Sequence, residues 1–65
     1  MIKIVIYIEP IDETIELGSF PPSKVEDVVS LIKQHGAFAS DTGSSYQYHQ
    51  ASYDLAKNRF EIVVS

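Results

Sequence analysis

The chain has 65 residues and carries nine acidic against five basic side chains, a formal charge of −4. At this size a single domain over residues 1–65 is expected, and a domain of about 60 residues buries only about 60% of its unfolded surface. The absence of cysteine excludes a disulfide framework or a thiolate metal site, and the absence of a basic stripe argues against direct nucleic-acid binding.

Met1–Glu9 is predicted as a strand. Ile2, Ile4, Ile6 and Ile8 share one face with a period of two, while Lys3, Val5, Tyr7 and Glu9 form the other. The second face is half apolar, which suits a central strand. One Lys followed by alternating isoleucines, with no small-residue cleavage site, does not read as a signal peptide. The longest apolar run, Ile4–Ile8, falls far short of the roughly 20 residues that span a bilayer. A cytoplasmic protein without membrane contact is the expectation. Pro10 and Asp12-Glu13 then mark a turn. Thr14–Ser19 follows as a shorter strand, with Ile15 and Leu17 inward and Thr14 and Glu16 outward, joined to the first as a hairpin. Phe20-Pro21-Pro22 ends it.

Ser23 lies three residues before Glu26, the spacing of a capping box, and Glu26 with Asp27 puts negative charge near a helix N-terminus. Val25, Val28, Val29 and Ile32 follow the i, i+3, i+4, i+7 rule, with Leu31 beside them. The spacing predicts a helix over Lys24–His35 that packs on the sheet. Gly36 reads as its left-handed C-terminal cap, with Ala37-Phe38 folding back onto the last turn. Ala39–Ser45, small and polar and centred on Asp41-Thr42-Gly43, reads as a loop or a hairpin turn. Tyr46–Tyr53 resumes strand character with no cleanly apolar face, which points to an edge strand. Lys57-Asn58 marks a turn, and Phe60–Ser65 closes the chain with Phe60, Ile62 and Val64 on one face. The order ββαββ predicts an α+β domain, a single two-layer unit with one helix on a four-stranded, mostly antiparallel sheet. The two most apolar strands, first and last, should lie side by side in its centre.

No arrangement of chemical groups stands out. His35 and His49 are too few for a zinc site without cysteine, and they fall on different elements, so neither metal nor cofactor is expected. No strained serine elbow or phosphate loop is present, and 65 residues leave little volume for a substrate pocket. Leu31–His49 resembles the small RNA-cleaving HicA-type toxins at its helix end and at Gly43-Ser44. Ser45 stands where that family has its catalytic His, and His49 lies four residues further along. A small RNA-acting enzyme is therefore the least favoured reading.

Two features exceed a bland surface. Glu9, Asp12, Glu13 and Glu16 place four acids in eight residues with no base among them, and the rest of the chain is neutral. Tyr46, Tyr48 and Tyr53 concentrate three of the four tyrosines on one predicted strand, and tyrosine is favoured in interfaces. Together they imply a non-catalytic interaction module that binds a protein partner with a basic surface. It could act in the manner of a phage inhibitor or adaptor of nucleic-acid-processing proteins. A homodimer or other homo-oligomer paired through an exposed strand edge is the alternative.

Overall fold

In the computed structural model, which describes residues 1–65, the alternating isoleucines form strand β1 (Ile2–Ile8). The chain passes through a 3-10 turn over Glu9–Ile11, which Asp12 closes at φ 52°. It returns antiparallel as β2 (Glu13–Phe20). After the helix α1 (Pro22–His35), a short antiparallel hairpin pairs β3 (Ala37–Ala39) with β4 (Ser44–Tyr46). A second hairpin, β5 (Tyr48–Asp54) and β6 (Arg59–Val64), turns at Asn58 with φ 50°.

The four-stranded sheet has the order β2-β1-β6-β5. Its two central strands are the apolar β1 and β6, as the patterning predicts, and they run parallel. A parallel pair cannot be joined by a tight turn, so the chain must travel across a face of the sheet between them. The sheet is therefore mixed, with antiparallel pairs only at its two flanks, and the fold is α+β with the predicted ββαββ order.

One face of this sheet holds the core. Ile4, Ile62 and Val64 are completely buried, with Ile6, Ile8, Val25, Ile32 and Tyr46 packed around them. The opposite face has no covering element. Val5 and Val63 are nonetheless buried there, between the stems of longer neighbours such as Lys3, Glu16 and Glu61.

The helix differs from its predicted form at both ends. It starts at Pro22, with Pro21 as the N-cap and no side-chain cap hydrogen bond. Proline is preorganised for the first helical position, where its missing N–H costs nothing. Ser23 is thereby drawn into the helix, and a residue with helical backbone cannot serve as the N-cap. Glu26 and Asp27 consequently fall beyond the first turn. Within the helix Val25 and Ile32 are buried and Val28 and Val29 half-buried, whereas Leu31 lies off the stripe and is exposed.

At the C-terminus Gly36 adopts φ 74°, ψ −166°, not the left-handed helical cap. Its N–H still bonds the Ile32 carbonyl at 2.8 Å. A Cβ at Gly36 would come within 2.6 Å of the Tyr46 carbonyl oxygen, so the glycine lets β4 pass against the helix end. Ala37 and Phe38 do not fold back onto the last turn but enter β3, and residues 40–43 make the hairpin turn to β4 that the sequence suggests around Asp41-Thr42-Gly43.

Candidate interaction surface

The acidic residues cluster where β1 turns into β2. Glu9 sits in the 3-10 turn, Asp12 closes it, Glu13 opens β2 and Glu16 lies in its middle, all four exposed. The Tyr7 hydroxyl donates a 2.6 Å hydrogen bond to Asp12 Oδ1. That bond holds the phenol proton and raises the Tyr7 pKa above its ordinary value, with further contributions from partial desolvation and from nearby acids. Glu16 meets Lys3 at 3.4 Å between exposed side chains, a contact screened by solvent and worth little. Glu9, Asp12 and Glu13 make no ion pair.

The tyrosines do not form one strand. Tyr46 belongs to β4 and is buried in the core. Tyr46 pairs with Ala37 on β3, whereas Gln47 exchanges two 2.9 Å backbone hydrogen bonds with Ser65 and so extends the β5–β6 ladder. Tyr48 pairs with Val64 on β6, and Lys33 Nζ sits 5.8 Å from its ring centre. Tyr53 packs on Phe60 with ring centres 6.3 Å apart, and its hydroxyl donates to Asn58. Asn58 in turn donates to the Met1 carbonyl at 2.9 Å. Tyr46 is thus withdrawn into the core, Tyr48 is half-buried and Tyr53 stays 40% exposed.

Sheet order separates the two groups further. The acids lie on and beside β2, and Tyr48 and Tyr53 on β5, at opposite edges of the sheet. Three strand spacings of about 4.8 Å put those edges roughly 14 Å apart. The acidic residues and the tyrosines do not compose one contiguous patch.

An apolar feature that the sequence reading placed in the core appears beside the acids. Ile15 and Leu17 lie on the helix side of β2, yet they remain 42% and 40% exposed. β2 is an edge strand, and neither α1 nor the β3–β4 hairpin reaches over it fully. With the exposed Phe38 and the inner residues Ile6, Ile8 and Tyr46 they line a cleft of about 210 Å³ whose eight lining residues are all apolar. Leu17 is the extra residue of a bulge, since β1 pairs Val5 with Glu16 and Ile4 with Gly18. Gly18 within a strand pattern was the local signal of that bulge. Nothing local to Phe38 reveals that it lines a cleft with residues of β2.

His35 ends α1 and His49 lies on β5, and nowhere do three His, Asp or Glu side chains converge as metal ligands would. No helix is long and apolar enough to cross a membrane. No protein-family model, curated protein or solved structure matches the chain.

Proposed function

We propose that the protein is a small acidic, non-catalytic interaction module whose partner is a protein with a basic surface. The observation that carries this reading is the group Glu9, Asp12, Glu13 and Glu16, all exposed at one end and edge of the sheet with Lys3 as their one ion-paired cation. Such a field accelerates encounter with a positive patch. Proteins that process nucleic acids carry such patches for phosphate, so an inhibitor or adaptor of the phage type suits the charge and size. Reversing Glu9, Asp12 and Glu13 to Lys should slow association with the partner about tenfold or more and flatten its salt dependence. The partner would be captured through a photoreactive residue in place of the exposed Ile11. Unchanged capture and unchanged association rate, with an intact circular dichroism spectrum, would overturn the reading.

A second reading is favoured by β5. Its free edge carries no charge and no proline from Tyr48 to Tyr53, whereas β2 carries Glu13 and Glu16, like charges that oppose pairing with a second copy of itself. Self-association would therefore proceed through β5, as a homodimer. Sedimentation equilibrium distinguishes a 7.3 kDa species from one twice as heavy. An RNA-acting enzyme remains the least supported alternative.

A further inference from the structure

We infer that the outer edge of β2 receives an extended segment of the partner in which apolar and basic residues alternate. This inference rests on the basic-partner reading and deepens it to the shape and pattern of what binds. Three independent observations converge on the same edge. First, β2 spans Glu13–Phe20 and has no neighbour on its outer side, so its outward N–H and C=O groups can accept an added strand. Second, the cleft of Ile15, Leu17, Phe38 and Tyr46 opens on the helix side of this edge and is entirely apolar. Third, the opposite side of the same strand presents Thr14 and Glu16, paired in register with Tyr7 and Val5 on the uncovered face.

An added strand sends successive side chains to opposite faces. Every second residue would enter the apolar cleft and the residues between would lie beside Glu16. A basic residue at one end of the segment would meet Glu9, Asp12 and Glu13. Charge selects the occupant. A second copy of β2 would bring Glu13 and Glu16 against their own kind, which opposes self-pairing at this edge, while Lys or Arg in the intervening positions answers both. The exposed Ile15 and Leu17, unfavourable on an isolated edge strand, become the floor of a pocket for aliphatic side chains.

Two synthetic peptides of β2's own length test this. One alternates Val and Lys; the other has the same composition with all Val first and all Lys last. Both are titrated into the isotope-labelled full chain at low and physiological salt. The alternating peptide should bind at least about tenfold more tightly than the block peptide, shift the amides of Thr14–Ser19 and slow their hydrogen exchange. Leu17→Asn and Phe38→Ser, both at exposed positions, should weaken it without altering the fold. Equal binding of the two peptides, abolished by salt, would overturn the strand-and-cleft inference while leaving the acidic docking reading intact. Shifts centred on β5 would likewise overturn it. No binding of either peptide even at low salt would sink both.

Discussion

At the scale of single residues, two side-chain positions carry consequences that can be measured. Tyr7 keeps its proton longer in the folded chain because Asp12 accepts its hydrogen bond. A group whose folded pKa is raised stabilises the fold at pH below its unfolded value, and that contribution disappears as pH rises through the folded pKa. The stability difference between wild type and Tyr7→Phe should thus be constant below about pH 10 and shrink above it. An ultraviolet phenolate titration of the variant should lose the absorbance that develops last; loss from the early part of the curve instead would separate Tyr7 from Asp12. The glycines provide a second contrast. Gly36 and Gly43 share a positive φ, but a Cβ at Gly43 meets nothing within 4 Å while one at Gly36 meets the Tyr46 carbonyl. Gly43→Ala should cost about 1 kcal/mol from backbone strain, and Gly36→Ala at least about twice that, because β4 must move. Equal costs in urea melts would show that the close approach at Gly36 is unimportant.

At the scale of elements, the helix start and the two outer strands separate local rules from context. Ser23 occupies the second helical position behind Pro22, so Ser23→Ala should change stability by less than about 0.5 kcal/mol, with no cap to lose. A loss near 1 kcal/mol would restore the capping box. Along the sheet, burial and not hydrophobicity should rank the substitutions. Ile62, completely buried between β1 and β5, should lose about 3 kcal/mol on change to Ala. Leu17, 40% exposed at the bulge, should lose under about 1 kcal/mol. If Leu17→Ala proves as damaging as Ile62→Ala by thermal denaturation, the cleft is a closed part of the core and receives no partner.

At the scale of the whole molecule, charge distribution governs partners. The acids concentrate at the β1–β2 end, while Lys3, Lys24, Lys33, Lys57 and Arg59 are spread over β1, α1, the β5–β6 turn and β6. A phosphate track needs several cations on one path, and two of these five already face carboxylates. Direct binding of single- or double-stranded nucleic acid should be undetectable at micromolar concentration and physiological salt in a fluorescence anisotropy titration. Tight binding with a steep salt slope would contradict the acidic-module reading.

Periodicity alone determined much of this architecture. Four isoleucines at alternate positions specify β1, the valine stripe specifies the face of α1, and the apolar content of β1 and β6 places them together in the centre, because each signal is a local pattern matched to the repeat of its own element. The exposed acids at positions 9–16 were equally legible, since a charged turn needs no tertiary information. What the tertiary structure decided was which apolar residues lack a cover. Ile15 and Leu17 read as core by alternation, yet β2 ended at the sheet edge only partly covered, and Tyr46 read as surface but was carried into the core by its pairing with β3. Burial depends on what arrives from elsewhere in the chain. The β3–β4 hairpin that fills this role for β1 stops short of β2, leaving the one apolar cleft that alternation could not foresee.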